Sequence, residues 1–431
     1  MCSQLDQAVP GQAGCRAQGS RSKTQKLLMP SRTKIPLTVY LLGLTIFTLI
    51  TGEFMVAGIM PALAEAFSVS LAKVGNLIAF HALGMALGGP PLAVLLIAGG
   101  VVNKRALVCL LALFVIASSM AAAAQNYEVL LLARVVMGVA TSACMGLCMT
   151  ICAGLVSLES RGRAVSIVLA GLMLSPVAGV PLTNFVEHMY GWRASSWIVA
   201  GLSLICTLLV VLWVSDAQSS DQPALRLQMR SLKSISLWGA YFTSGCIIGA
   251  TFAAFSYITP ILIEEVGVLP SSVAPLLVLY GLGNVIGNTV IGRIADRYTF
   301  QALGWGLVLL IVALGGFALA GDLRWLNLGC FLAFGFTGVA LNPAMVARVM
   351  TAAEPHALVN TLHTSIITGG LAFGSWAGGE AIDAGFGLRA PLWVGVGMAS
   401  LGLASLVLPI LKQRSERLRT EAKPGSCSFV E

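Results

Sequence analysis

The sequence predicts an all-α polytopic membrane protein with twelve transmembrane helices in two pseudo-symmetric six-helix bundles. Three observations support this fold class: an apolar composition, a series of long apolar stretches, and an internal repeat that divides the chain in two. Hydrophobic residues make up 57% of the chain and charged residues only 10%, and the mean hydropathy is +0.87. Because a soluble domain has about 25% charged residues, this composition indicates a chain that lies largely within the bilayer.

The apolar stretches define the expected helices. A helix needs about 20 residues to cross the ~30 Å hydrocarbon core of a bilayer. Twelve stretches of about that length follow one another, and their glycines and prolines suit membrane helices. We expect helices at 37–59, 73–97, 106–124, 129–153, 164–186, 195–215, 235–262, 272–294, 302–320, 326–350, 359–382 and 390–411.

The lysine and arginine residues fix the expected orientation. If both termini are cytoplasmic, 21 of the 26 basic residues fall in cytoplasmic segments, four fall outside, and one, Arg134, falls within a helix. Such an excess is the positive-inside rule, which predicts a multi-pass protein of the cell (inner) membrane with both termini in the cytoplasm. The net charge of +8 then reflects topology, and we expect no nucleic-acid partner.

Polar stretches divide the chain into five regions. We expect a disordered cytoplasmic tail at 1–34, a six-helix bundle at 35–215, a cytoplasmic linker at 216–234, a second six-helix bundle at 235–411 and a cytoplasmic tail at 412–431. The first 28 residues lack the apolar core of a signal peptide. Met29 directly precedes the membrane domain and is an alternative start of the native chain. The ten cysteines fall in helices or cytoplasmic tails, so we expect no disulfide framework outside the cell.

An internal repeat relates the two halves. The segment "YGWRASSWIVAG" (190–201) aligns with "FGLRAPLWVGVG" (386–397) at an offset of 196 residues, and each leads into the last helix of its half. Near the same offset, "LLIAGG" (95–100) lies opposite "GRIADR" (292–297). Duplicated six-helix halves are typical of transporters that bind substrate at the membrane midplane between the halves.

Glu53 lies in the middle of the first apolar stretch. An ionisable side chain at the bilayer centre costs about 2.5–3.5 kcal/mol on insertion scales, so it indicates a function. Thr45, Thr48 and Gly52 share a polar arc of this helix and Glu53 lies at its edge. We interpret Glu53 as a protonation site facing a central cavity. The alternative is a structural carboxylate that is satisfied by a neighbouring helix or lies near the outer interface.

Arg134 is the second charge expected within the membrane. Gly138 and Thr141 fall on its face of the fourth helix, together with Met145, Cys148 and Cys152. Arg134 either takes part in proton handling beside an acidic group or is a structural cation near the outer end of the helix.

Further polar side chains are candidates for the substrate cavity, and the alternative for each is a hydrogen bond between helices. The predicted cavity set is Thr48, His81, Thr141, Asn284, Asn288, Asn342 and His363. The Cys and Met stripe of the fourth helix suggests a soft metal, but small apolar packing explains it better. We expect neither a metal nor another cofactor.

No catalytic motif stands out in the sequence. It contains no HExxH, GxSxG or P-loop pattern, so we do not expect an enzyme. A receptor without transport would usually carry an added signalling domain, and the sequence suggests none.

Six motifs follow one another at the expected helices. They are "TGEFMVAGIMPALAEAFSVS" (51–70), "LLARVVMGVATS" (131–142), "GLMLSPVAGVPL" (171–182), "GRIADR" (292–297), "LNPAMVARVM" (341–350) and "GGLAFGSWAGGEAID" (369–383). In this order they resemble motifs of the major facilitator superfamily, and more closely those of its twelve-helix drug:proton antiporters and arabinose-efflux-type permeases. The resemblance covers residues 35–411.

The resemblance implies roles for particular residues. It implies a proton-coupling pair, Glu53 and Arg134, and an antiporter motif at which helix 5 bends between the halves. The antiporter motif comprises Gly171, Pro176, Gly179 and Pro181, and the cytoplasmic gate comprises Arg163, Gly292, Arg293, Asp296 and Arg297.

Two motifs depart from the family pattern. Gly99 and Gly100 stand where the first half would carry Asp and Arg, and Ser175 precedes Pro176 where glycine is usual. The first departure predicts an asymmetric cytoplasmic gate.

We therefore expect a secondary active transporter that exports drug-like or amphiphilic molecules in exchange for protons by alternating access. The alternatives are efflux of a specific metabolite (a sugar, nucleoside or amino-acid derivative) and, with less support, a uniporter or importer. The expected partners are a small-molecule substrate, protons and the lipid bilayer, and we expect a monomer.

Overall fold

The structure is a computed structural model of the chain. It describes residues 35–89, 91, 92, 95, 102–157, 160–215, 232, 234–353 and 357–421, with only the backbone from 408 onward. The predicted tail at 1–34, the linker at 216–234 except for residues 232 and 234, and the predicted loop glycines Gly99 and Gly100 lie outside these residues, as does the end of the second tail.

The described chain is helical, and no strand occurs within the described ranges. We number the membrane helices α1 to α12. They are α1 Leu37–Gly58, α2 Leu71–Gly88, α3 Asn103–Ala122, α4 Tyr127–Leu155, α5 Arg161–Tyr190, α6 Trp192–Trp213, α7 Ile235–Phe255, α8 273–297, α9 299–319, α10 Arg324–Ala352, α11 Ala357–Ala381 and α12 Ala390–Glu421.

Ten helices of the described part are long and apolar enough to cross a membrane. One of them contains both α8 and α9, which meet at a kink at Tyr298 (φ −129°, ψ 41°). The helix α11 is outside those ten and contains several polar residues. Each predicted stretch overlaps one helix, so the prediction of an all-α polytopic membrane protein is confirmed.

The first helix of each half breaks in the same way near its predicted outer end. The breaks lie at Ile59 (φ −115°, ψ 19°) and Tyr257 (φ −108°, ψ 14°), and a proline follows each, Pro61 and Pro260. The chain continues as a short helix Met60–Phe67 in the first half and as Ile258–Pro260 with Ile261–Glu265 in the second. Proline cannot donate its backbone nitrogen to the preceding turn, which favours a break before it.

The repeat that was read from the sequence recurs in the backbone. Gly191 and Gly387 both have φ of +83°, a conformation that favours glycine. Two residues later, Arg193 donates a hydrogen bond to the Ala124 carbonyl at the end of α3 (3.0 Å). Arg389 donates to the Gly321 carbonyl at the end of α9 (2.9 Å). In each half an arginine thus satisfies a carbonyl beyond the end of the third helix, where a cation is favoured.

Glycines set the closest helix contacts. A Cβ added to Gly171 of α5 would lie 2.0 Å from the Gly43 carbonyl oxygen of α1. In the second half, one added to Gly374 of α11 would lie 2.1 Å from the Gly249 carbonyl oxygen of α7. Such close approach gains van der Waals contact where lipid provides no hydrophobic drive. The pair α1–α5 thus has a counterpart in α7–α11.

The two halves meet at the ends of the helices that we predict to face outward. Phe54 of α1 stacks near Phe252 of α7, with ring centroids 5.1 Å apart. The Tyr257 hydroxyl donates a hydrogen bond to the Ser375 carbonyl (2.8 Å). The same hydroxyl packs against Gly75 of α2, where an added Cβ would lie 1.8 Å from its oxygen. We call these contacts, together with that between α5 and α8, the outer seam.

Candidate functional site: the Glu53–Arg134 region

The face of α1 around Glu53 is defined by its neighbours. Thr51 donates a hydrogen bond to Ser175 of α5 (3.2 Å), whereas Gly52 faces Phe114, Met137 and Val199 inside the first half. Phe54 faces α7 across the outer seam. Because successive helical residues are 100° apart, Glu53 points between the interior of the first half and the second half. Its side chain is 3% exposed.

Arg134 of α4 binds backbone rather than carboxylate. Its Nη1 donates to the Gly52 carbonyl, its Nη2 to the Glu53 carbonyl (2.8 Å) and its Nε to the Leu77 carbonyl of α2 (3.3 Å). The residue is 2% exposed. A guanidinium has five N–H donors in a rigid fork, so one side chain can hold three helices in register.

The two charged residues that the sequence analysis paired therefore lie together. The Arg134 guanidinium binds the Glu53 main-chain carbonyl (2.8 Å), which places the cation beside this residue. Among the described residues, however, the ion pair that the structure records is Arg389 with Glu265 (2.8 Å), and Glu53 takes part in none. The Glu53 carboxyl thus has a buried cation nearby and no direct bond to it.

The two predicted cavity histidines are buried in different helices. His81 of α2 is fully buried and neither ring nitrogen has a hydrogen-bond partner. Gly138 of α4 packs against its backbone: a Cβ there would lie 2.0 Å from the His81 carbonyl oxygen. His363 of α11 is 5% exposed and stacks on Tyr241 of α7, with ring centroids 5.8 Å apart, and its Nε2 has no partner.

The two predicted cavity threonines bond to their own helices. The Thr48 hydroxyl donates to the Leu44 carbonyl (3.0 Å) and lies 3.6 Å from the Cys206 sulfur of α6. The Thr141 hydroxyl donates to the Met137 carbonyl (2.8 Å). Thr48 therefore faces the inside of the first half rather than α7.

The predicted asparagines lie on α8 and α10. Gly281 of α8 packs against the α5 backbone, where a Cβ would lie 2.6 Å from the Pro176 carbonyl oxygen. Asn284 and Asn288 follow on the same helical face. Asn284 is 3% exposed and its Nδ2 lacks a partner, whereas Asn288 is half-buried. Asn342 is half-buried and begins the second part of α10, after a break at Gly338 (φ +66°).

The predicted antiporter motif is the point at which α5 touches both halves. Residues Ser175–Gly179 form a π-helical turn, a local widening that is often found at functional sites. Gly171 packs on Gly43 of α1, and a Cβ on Gly179 would lie 2.1 Å from the Thr51 hydroxyl. Pro176 contacts Gly281 of α8 from the other half, and Pro181 is buried one turn later.

The predicted gate residues are all exposed, and four of them lie close together near the end of α8. The five are Arg163, Gly292, Arg293, Asp296 and Arg297. The structure records no ion pair between the Arg163 and Asp296 side chains, both of which it describes. The Arg297 guanidinium lies 5.3 Å from the Tyr298 ring centroid. Because the halves meet at the opposite ends of the helices, we interpret this conformation as open at the predicted cytoplasmic side.

Sequence reasoning missed two features of the second half. An aromatic cluster joins Phe255, Tyr280 and Phe331, with centroid distances of 4.9 Å and 5.7 Å. Arg348, counted with the cytoplasmic basic residues, is 4% exposed and donates to the Thr243 hydroxyl (2.5 Å). The aromatic cluster could have been suspected from the bulky residues at helical spacing, but no sequence signal distinguishes a buried arginine from a loop arginine near a helix end.

The cysteine stripe of α4 lies in the core of the first half. Cys144, Cys148 and Cys152 are fully buried, and within the described part of the chain no group of three metal-binding side chains comes together. The burial of these three side chains agrees with the interpretation of the stripe as small apolar packing.

Comparison with known proteins places the chain in a family. The Major Facilitator Superfamily model matches residues 42–358 and 242–428. The chain belongs to the Major Facilitator Superfamily. It is 29% identical over 364 residues to a chloramphenicol resistance protein of Streptomyces lividans, an alignment that covers 83% of this chain and 92% of the relative. It is also 28% identical over 381 residues to the inner membrane transport protein YdhP of Escherichia coli K12, with 88% and 97% covered.

A solved transporter structure shares the fold. A bacterial homologue of the human lysosomal transporter Spinster, in an inward-facing and unoccupied conformation, superposes with a TM-score of 0.66 at 18% identity. The match covers 86% of this chain and 96% of that one. The chain is thus a multi-pass transporter of small molecules with relatives of the efflux type, and neither its relatives nor its fold indicates an enzyme family.

Proposed function

We propose that this superfamily member exports drug-like or amphiphilic organic molecules in exchange for protons by alternating access. The observation that carries the proposal is the buried Glu53 carboxyl, which has Arg134 nearby but no ion-pair partner among the described residues. A carboxylate locked in a buried salt bridge is costly to protonate. A carboxyl that is held near a cation but not bonded to it can gain and lose a proton as its surroundings change.

The chemistry of the outer seam supports the proposed substrate class. Phe54, Phe252, Phe255 and Tyr280 place aromatic rings where α1, α7 and α8 approach each other. Apolar pockets with a few polar groups suit amphiphilic molecules, and aromatic faces attract cations. The name of the Streptomyces relative, a chloramphenicol resistance protein, supports efflux of such a compound.

The unpartnered amide of Asn284 favours a second candidate, export of a more polar metabolite. Its buried Nδ2 could donate to a substrate carbonyl or hydroxyl. Because this is one group on a largely apolar and aromatic surface, the amphiphile remains our main proposal.

The remaining parts of the proposal concern topology and assembly. We propose that both termini are cytoplasmic and that the transporter works as a monomer in the inner membrane, which the distribution of basic residues and the relative YdhP, an inner membrane transport protein, support. We propose as further cavity residues Asn288, Asn342 and His363. Thr48 has less support as a cavity residue, because it contacts Cys206 inside the first half.

The test is transport by purified protein in proteoliposomes with an imposed pH gradient, with chloramphenicol and a lipophilic cation as probes. Wild-type protein should transport at least one probe faster when the gradient is present. Glu53→Gln should lose the gradient-driven part while keeping membrane insertion and probe binding, because the amide fills the same space but cannot release a proton.

The matched control is Glu128→Gln, which neutralises an exposed carboxylate in the first turn of α4 of the same half. This variant should transport as the wild type does. Undiminished gradient-driven transport by Glu53→Gln would contradict the proposal.

A further inference from the structure

A cavity lies inside the first half, separate from the outer seam. It lies between α1, α3, α4 and α6 and has a volume of about 20 Å³, which is room for about one water molecule. Its lining includes Met55, Ala121, Arg134, Met137 and Trp192. Each of these side chains is at most 6% exposed.

The polar groups of the cavity suit water. Arg134 uses three of its five N–H donors for backbone carbonyls, which leaves two. Ser118 and Ser196 also line the cavity, and each donates its hydroxyl hydrogen to its own helix, to the Val115 carbonyl and the Trp192 carbonyl (both 3.1 Å). Their oxygens therefore remain as acceptors. A buried water needs two to four polar partners, and a cavity with apolar walls alone stays dry.

The second half fills the same place with apolar side chains. The offset of 196 residues makes Leu314 equivalent to Ser118, Phe317 to Ala121 and Leu392 to Ser196. These three apolar residues of the second half are buried. Phe317 packs near Phe331, with ring centroids 6.5 Å apart. The cavity is thus a feature of the half that carries Glu53, and not a consequence of the repeated fold.

We propose that this cavity holds water and gives protons access to the Glu53–Arg134 region from the outer side while the outer seam is closed. Arg134 connects the cavity with Glu53, because its guanidinium lines the cavity and binds the Glu53 carbonyl. Met55, Ile59 and Leu63 extend the lining from there toward the predicted outer end of α1. A hydronium ion in the cavity would leave a water behind when its proton passes to the carboxylate. The role for protons depends on the antiport proposed above, whereas the presence of water does not.

The test is radiolytic labelling of the whole protein in lipid, in which bound water is converted to hydroxyl radicals that oxidise nearby side chains. Met55 and Met137 line the cavity and are 6% and 2% exposed, whereas Met60 and Met345 do not line it and are 0% and 1% exposed. We expect Met55 and Met137 to be oxidised several-fold faster than the two control methionines. Equal oxidation of all four would show that the cavity is dry and would overturn the proposal.

A filling variant tests the route. Ala121→Leu should lower the oxidation of Met137 to the control level and slow gradient-driven transport without weakening probe binding. Ala123→Leu makes the same change at an exposed position two residues along the chain and should alter neither. If Ala121→Leu dries the cavity but leaves gradient-driven transport at the wild-type rate, the proposed proton route is wrong.

These outcomes separate the two proposals. A hydrated cavity in a protein whose transport ignores Glu53→Gln would overturn the antiport and, with it, the role of the cavity in proton access. A dry cavity in a protein whose transport requires Glu53 would overturn the proposal that the cavity holds water. The proposed antiport would be unaffected by that result.

Discussion

The two six-helix halves share backbone features but differ in what fills their interiors. Both have a glycine at φ +83° before the sixth helix of the half, Gly191 and Gly387, followed two residues later by an arginine that binds a carbonyl beyond the end of the third helix. Inside the first half lie Arg134 and a small cavity, whereas the equivalent region of the second half is packed with apolar and aromatic side chains. Charges inside a membrane are costly. Under the proposed antiport, the half that carries Glu53 and Arg134 would handle the proton.

The comparison extends to the buried arginines. Arg134 binds backbone carbonyls of α1 and α2 at the level of Glu53, whereas Arg348 lies near the predicted cytoplasmic end of α10 and binds the Thr243 hydroxyl. The position equivalent to Arg134 is Cys330. The two arginines therefore stabilise different contacts: Arg134 joins α4 to α1 and α2, whereas Arg348 joins α10 to α7.

The largest effect on stability is expected at Arg134. Arg134→Met fills the space but removes three hydrogen bonds from a charged donor to buried carbonyls, and a hydrogen bond to a charged group contributes about 1.5–3 kcal/mol. We expect a loss of unfolding free energy on the order of 5 kcal/mol, measured by denaturant and thermal unfolding in detergent. Cys330→Ala, at the equivalent position of the second half, should change the midpoint little. Equal losses in the two variants would mean that the halves do not differ in this way.

The packed interior of the second half is tested at Phe317. Phe317→Ala removes a fully buried ring and should lower the unfolding free energy by about 3–5 kcal/mol. Ala121→Phe introduces the same ring at the equivalent position of the first half, beside the small cavity, and should cost about 1–3 kcal/mol through overpacking. The same unfolding measurements compare them. A smaller loss in Phe317→Ala than in Ala121→Phe would reverse the contrast between the two interiors.

The smallest expected effect concerns the cytoplasmic gate. In the outward-open state we expect Asp296 to approach the N-terminus of α5 near Arg163, where a carboxylate gains about 0.3–1 kcal/mol and up to ~2 when partly buried. Asp296→Asn should therefore shift the population toward the inward-open state. Because Gly99 and Gly100 leave the opposite contact without an acid, Gly99→Asp should partly reverse the shift. Spin-label distances across the cytoplasmic mouth report it, and an unchanged distance distribution in Asp296→Asn would place the gate elsewhere.

Much of the fold could be predicted because each membrane helix leaves a long apolar stretch in the sequence. The repeat was also visible, since Gly191 and Arg193 recur as Gly387 and Arg389. The interruption of α10 at Gly338 was not predicted, because one glycine in an apolar stretch does not reveal a positive φ.

The candidate site was predictable in its members but not in its bonds. Glu53 and Arg134 were found because charges stand out in apolar helices. The partners of Arg134 are backbone carbonyls, which every residue carries, so sequence alone could not name them. The contact of Thr48 with Cys206 could not be predicted from the sequence either. A helical face can be assigned to a neighbouring helix only once the helix packing is known.

The most direct test of the central claim is to observe the protonation of Glu53 itself. Infrared difference spectra of the protein in lipid, recorded across a pH titration, report the carbonyl stretch of each protonated carboxyl group. We predict a band that appears on acidification in wild-type protein, is missing in Glu53→Gln and remains in Glu128→Gln. Identical difference spectra for wild-type and Glu53→Gln protein would show that Glu53 does not exchange a proton, and would contradict the account.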